Sequence, residues 1–177
     1  MSLEHREQPI QAAGMMSLRK ILSVLVLWLA TLTFASAGDR ASGTISFKAA
    51  KGAVKYGFLG RGPDEMDSSK TVLRLYLSSA DIGAKIKAAK TLSDADNALE
   101  DGAMVDFGDS PHLAYAVRLN SDRVQYSGGT NADAFALTTN KPDHLAGKLH
   151  IDDSASGGAK IDATFDLTLV KTFTSLR

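Results

Sequence analysis

The stretch Ile161-Asp162-Ala163-Thr164-Phe165-Asp166-Leu167-Thr168-Leu169 decides the fold. Every odd-numbered residue in it is apolar and every even-numbered one is polar or charged. Side chains alternate across a strand with period two, so this pattern predicts a strand with one face in a core and the other in water. The same parity holds upstream, where Leu145, Leu149 and Ile151 oppose Lys148, His150 and Asp152. The connector Asp153-Ser154-Ala155-Ser156-Gly157-Gly158 is rich in turn formers. Residues 145–152 and 159–171 are therefore a predicted hairpin.

The rule extends toward the N-terminus. Leu73, Leu75 and Leu77 share one face of a predicted strand, with Arg74 and Tyr76 on its polar face. Leu113, Tyr115, Val117 and Leu119 share another. Ile45 and Phe47 make a short strand, and Val54, Tyr56 and Phe58 make the next across a turn at Ala50-Lys51-Gly52. Val105 with Phe107, Val124 with Tyr126, and Phe135 with Leu137 complete the set. Short strands at regular spacing, separated by Gly, Asn, Asp and Ser, point to an all-β fold. The expectation is an antiparallel β-sandwich or small β-barrel of about eight strands with one short helix. That helix is expected over Ser93–Gly102, capped by Ser93, with acids near its positive end. The segment 82–89 before it fits a helical turn or an irregular loop. Neither could fold alone, so both are expected to pack across an open end or edge of the sheet.

The N-terminal region reads differently. Arg19 and Lys20 precede a run of 14 mostly aliphatic residues, Ile21 to Phe34, which ends in Ala35-Ser36-Ala37. A basic lead, a short apolar run and an A-x-A end are the parts of a secretory signal peptide. As a helix the run reaches about 21 Å, short of the roughly 30 Å hydrocarbon layer. Residues 1–14 read as an over-extended start or a disordered segment, 15–37 as a signal peptide cleaved near Ala37, and 38–177 as a single β-rich domain. The expected location is the periplasm or beyond.

Removing residues 1–37 takes three basic and two acidic residues from a balanced 20 and 20. A near-neutral remainder has no electrostatic case for nucleic acid. The chain has no cysteine, which excludes disulfides and thiolate chemistry. An outer-membrane barrel would also alternate, but needs strands of about 9–11 residues and aromatic girdles. The expected strands are shorter and their aromatics scattered, so the 38–177 domain is not expected to be embedded in a membrane.

Candidate chemistry concentrates in Asp106-Phe107-Gly108-Asp109-Ser110-Pro111-His112. FGDS resembles the nucleophile block of the GDSL (SGNH) hydrolases, which implies a serine activated by a histidine. That family uses a parallel α/β sheet and a late D-x-x-H. Here the D-x-x-H, Asp109 to His112, lies inside the same block, where neighbours in one loop do not align as a triad. A tight turn joining two strands is the simpler reading. Asp106, Asp109 and His112 are also weak metal candidates, although their spacing of three suits a helix better than a turn. Asp94, Asp96, Glu100 and Asp101 lack the spacing of a calcium loop and read as a solvated, capped helix. His144 and His150 read as surface residues, and Lys85, Lys87 and Lys90 as a solvated face. An exposed Tyr/Arg group, Tyr56, Arg74 and Tyr76, is the kind of feature that contacts a ligand or partner.

TVLRLYLSS (71–79), AGKL (146–149) and IDATFDLTL (161–169) together resemble small secreted bacterial β-rich proteins of unassigned function. The resemblance implies a secreted β-rich domain and carries over no catalytic residue. The reading is an exported soluble module that binds a small apolar ligand or a protein partner, with no cofactor. A small hydrolase or metal-dependent enzyme around Asp106–His112 and an outer-membrane β-barrel stand as alternatives.

Overall fold

In the computed structural model, residues 39–108, 112–120 and 123–177 are described, with Asp39 and His112 as backbone only. The segment 15–37, read as a signal peptide, and Asp109, Ser110 and Pro111 lie outside them. The described residues belong to one unit spanning 36–177. They run β1 (Asp39–Phe47), β2 (Ala50–Val54), β3 (Tyr56–Pro63), β4 (Thr71–Ser78), α1 (Gly83–Ala88), α2 (Leu92–Asn97), β5 (Gly102–Phe107), β6 (His112–Arg118), β7 (Tyr126–Asn131), β8 (Phe135–Lys141), β9 (His144–Asp152) and β10 (Ala159–Thr172). The protein is mostly β, and the described residues hold two short α-helices rather than one.

The deciding stretch lies in β10, the axis of the fold. Its first part is paired on both sides, with β1 at Ile45↔Ile161 and Ala41↔Phe165, and with β9 at Ile151↔Ile161 and Leu145↔Leu167. Beyond Leu169 the register shifts and β10 runs parallel to β3, Leu169 opposite Leu59. From there β3, β4, β5, β6 and β7 follow as antiparallel neighbours, giving a curled sheet in the order β2-β1-β10-β3-β4-β5-β6-β7, with β9 and β8 branching from β10. The predicted hairpin is present as β9 and β10.

The inner face of this curl holds the main core. Ile45, Leu59, Leu75, Leu77, Val105, Val117, Phe135, Phe165 and Leu167 form one buried cluster. Gly43 in β1 and Gly102 in β5 mark close approaches. A Cβ on Gly43 would lie 2.1 Å from the Asp162 carbonyl oxygen, and one on Gly102 2.0 Å from that of Leu77. Neither position has room for a side chain.

The second core was not expected. Phe58, Tyr76, Ile82, Ile86, Leu92, Leu99, Met104 and Phe173 cluster on the other face of β3–β5, beneath the helices. The helical segment therefore covers a sheet face, not an end or edge, because its apolar residues need a broad surface to bury against. Its N-cap is Thr91, not Ser93. Thr91 Oγ1 accepts from the Asp94 N–H at 3.1 Å, and the Asp94 carboxylate accepts from the Thr91 N–H. The chain end holds the layer down, its Ser175 and Leu176 carbonyls accepting from the N–H groups of Leu92 and Ser93 at 3.1 and 3.0 Å.

Other expectations are corrected in detail. Ala50-Lys51-Gly52 is strand, and the turn lies at Lys48–Ala49, where Lys48 has a left-handed φ of 53°. Val54 and Phe58 do not share a face: Val54 joins the inner core and Phe58 the outer cluster. A single residue, Lys55, separates β2 from β3 and breaks the parity between them.

Candidate functional site

Arg74 and Tyr76 are not exposed. They lie on the face of β4 that the helices cover, with relative exposures of 4% and 0%. The premise that they form a surface pair is overturned. What they form instead is a buried charge cluster. Asp106 stands opposite Arg74 on β5. Arg74 Nε donates to Asp106 Oδ1 at 2.6 Å and Nη2 to Asp106 Oδ2 at 2.9 Å, a bidentate pair. Arg74 Nη1 donates to Asp96 Oδ2 at 2.7 Å, and the Tyr76 hydroxyl donates to Asp96 Oδ1 at 2.9 Å. Glu65, from the loop after β3, reaches Arg74 Nη2 at 2.9 Å.

One guanidinium thus faces three carboxylates. Burial opposes the Arg74 charge, but the hydrogen bond and charge of Asp106, with the charge of Asp96, outweigh it and hold the guanidinium protonated. Burial raises Asp96 and Asp106 above the ordinary carboxylate range, against the pull of Arg74. Burial, with the Asp96 charge beside it, also raises the Tyr76 hydroxyl. The cluster carries surplus negative charge and fastens α2 to β4 and β5.

Asp106 is therefore an ion-pair partner in a β strand. Of the other residues in the metal and hydrolase readings, Asp109 and Ser110 lie outside the described residues and His112 is described as backbone at the start of β6. Among the described residues no group of three or more His, Asp or Glu side chains could hold a metal ion.

A cavity of about 130 Å³ borders the cluster, lined by Glu65, Arg74, Met104, Asp106, Ala116 and Ser127 among others. It opens over the outer face of β5, β6 and β7. That face is made of small side chains, Ala114 opposite Gly129 and Ala116 opposite Ser127. On the inner side of the same edge the rings of Tyr115 and Tyr126 pack at 5.7 Å and crowd over Gly128. Phe47 meets Tyr126 at 5.3 Å.

Among the described residues β7 pairs with β6 alone, so it is a sheet edge. Its sequence, Tyr126-Ser127-Gly128-Gly129-Thr130-Asn131, carries no charge, no proline and no register shift. The other edges are guarded. β2 has five residues and carries Lys51, while β8 has a register shift between Leu137 and Thr139 and ends on Lys141. Lysines, bulges and short length are the devices by which natural sheets block pairing with another chain.

Tyr56 is exposed as expected, at 41%. It lies at the start of β3, opposite Ser78 on β4, away from the Arg74 cluster. Glu65 escaped the sequence reading as a site residue, and Asp96, read as part of a solvated helix, is instead largely buried against Arg74 and Tyr76. A signal for Asp96 was present: the apolar residues Ile82, Ile86, Leu92 and Leu99 require a covered sheet face, and the strand carrying Arg74 and Tyr76 offers one. No protein family, curated protein or solved structure matches the chain.

Proposed function

We propose that the protein is an exported binding module that takes an extended segment of a partner protein along the free edge of β7. The observation that carries this reading is the unguarded edge itself, uncharged and bulge-free where β2 and β8 are protected. Six residues span about 20 Å, too little for the roughly 800 Å² per partner of a standard interface between folded surfaces. An extended segment needs no such area, because main-chain hydrogen bonds hold it and alternate side chains select it.

The two faces of the edge define the partner. On the inner side the half-buried Tyr126 offers an aromatic ring, backed by Tyr115 and Phe47, which are themselves buried in the core. The outer side is lined by small residues and overlooked by the surplus carboxylates around Arg74. A segment alternating apolar and basic residues complements both.

A closed interior supports the same view. Leu75, Val117, Phe135 and Phe165, the positions that would line a ligand cavity, are buried in one cluster, with Phe135 and Phe165 rings 6.1 Å apart. This favours a packed sandwich over a ligand-holding barrel. The outer face of β9 and β10 carries Lys148, His150, Asp162 and Asp166, which argues against an outer-membrane barrel. Export rests on the leader-like segment 15–37.

The test is fluorescence polarisation with a labelled decapeptide of alternating valine and lysine. Binding tighter than about 1 mM, equivalent to about 4 kcal/mol, is expected. N-methylation of its edge-facing amides should weaken binding at least about tenfold, and so should Gly129→Lys, which restores a guard. A Cβ at Gly129 meets nothing closer than 3.9 Å, so that variant should fold. Equal binding of the N-methylated peptide, or of the Gly129→Lys variant, would overturn the proposal.

A further inference from the structure

A second concavity lies on the same sheet face at the other side of the helical layer. It measures about 340 Å³ and is walled by Tyr56, Phe58, Gly83, Ala84, Lys87 and Val170, with Asp81 at its rim. That volume falls within the range of small-molecule sites. We propose that this groove binds an amphipathic organic anion, its apolar body against Tyr56, Phe58 and Val170 and its acid group at Lys87. The proposal is independent of the β7 edge and goes beyond it.

Three features make the groove a built site. First, its walls are fixed. Ile82 and Ile86 anchor α1 in the outer core, and the Asp81 carboxylate accepts from the Gly83 N–H at 2.9 Å, which sets the entry to the helix. On the far side, Lys171 Nζ donates to the carbonyls of Lys87 and Ala89, at 2.8 Å for the first, so β10 ties down the end of the helix. Second, the close approach of α1 to the floor depends on Gly83. A Cβ there would lie 2.8 Å from the Phe58 ring. Third, the apolar wall includes a large side chain left partly in water, Tyr56 at 41%. Residues of that kind gain most from being covered by a ligand.

Charge selects the class of ligand. Lys85 on the same helix is paired with Glu100 at 2.6 Å, but Lys87 makes no ion pair among the described residues. The one acid at the rim, Asp81, already has an oxygen committed to the Gly83 N–H. A carboxylate beside Lys87 gains a partner, whereas a quaternary ammonium would meet a lysine that has no ion-pair partner among the described residues.

The experiment is isothermal titration of the purified protein with decanoate, below the concentration at which it forms micelles. Saturable binding at one per chain is expected, with decyltrimethylammonium at least about tenfold weaker. Lys87→Gln should weaken decanoate about fivefold, the size of one exposed ion pair, and leave decanol unchanged. Ala84→Phe, on an exposed helix position, should fill the groove and abolish binding of both while circular dichroism stays native. Equal affinity for the cationic and anionic chains, unchanged binding in Ala84→Phe, or no saturable binding of decanoate would each overturn the assignment.

Discussion

Replacing Arg74 with methionine tests the central claim about the buried cluster. Methionine keeps the bulk of the side-chain stem and removes the charge. Asp106 then loses both of its guanidinium hydrogen bonds, at 2.6 and 2.9 Å, and Asp96 loses one at 2.7 Å while keeping that from Tyr76. Two largely buried carboxylates are left without a counter-charge, a loss that typically costs about 3–5 kcal/mol. For a domain of this size, at roughly 3 °C per kcal/mol, the melting temperature should fall by about 10–15 °C. The pH dependence gives a second, sharper reading. Burial raises the folded-state pKa values of Asp96 and Asp106. A carboxyl raised on folding stabilises the protein below its unfolded pKa, and that contribution is lost as pH rises through the folded value. Without Arg74 the folded values rise further, so the variant's slope extends toward neutral pH. The deficit should therefore shrink on acidification, by about 1.4 kcal/mol per pH unit while one carboxyl takes up a proton in the folded state alone. Urea unfolding followed by far-ultraviolet circular dichroism at pH 7 and pH 5 measures both quantities. A variant within about 1 kcal/mol of the parent at pH 7, or a deficit that does not narrow at pH 5, refutes the reasoning.

Other substitutions separate the remaining parts of the fold. Tyr76→Phe removes one hydrogen bond to Asp96 and should cost about 1–2 kcal/mol in the same unfolding assay. Thr91→Ala deletes the capping box of α2 and should cost about 1 kcal/mol, with native mobility on a sizing column. Leu75→Ala opens a hole in the inner core, where Leu75 is fully buried, and should cost about 2–5 kcal/mol. Gly43→Ala drives a Cβ into the backbone of β10, so loss of soluble expression is the expected outcome. A stable Gly43→Ala protein would contradict the close pairing of β1 with β10.

Much of the β architecture was legible because its signal is local. Period-two alternation in 145–152 and 159–169 states which side of a strand is buried and which residues begin a turn, and β9 and β10 lie where it puts them. Leu73, Leu75 and Leu77 face the inner core for the same reason. The helical segment was half legible. Its composition marks it as helical, but six-residue helices such as α1 and α2 take their position from what they cover.

What alternation determines is one face of each strand, the apolar one. The polar parity of β4 looked like a solvent face because Arg74 and Tyr76 are what a solvent face carries. Only the tertiary structure decided otherwise, by laying Ile82, Ile86, Leu92 and Leu99 over it and supplying Asp96 and Asp106 as partners. The physical reason is that burial of a charge depends on groups distant in sequence, here up to 32 residues from Arg74. The edge status of β7 is likewise a property of the sheet order, since a strand's own residues do not say whether it has one neighbour or two. Sequence settled the alternation of most strands and the turn between β9 and β10; the assembled sheet settled which faces are covered twice and which edge is left open.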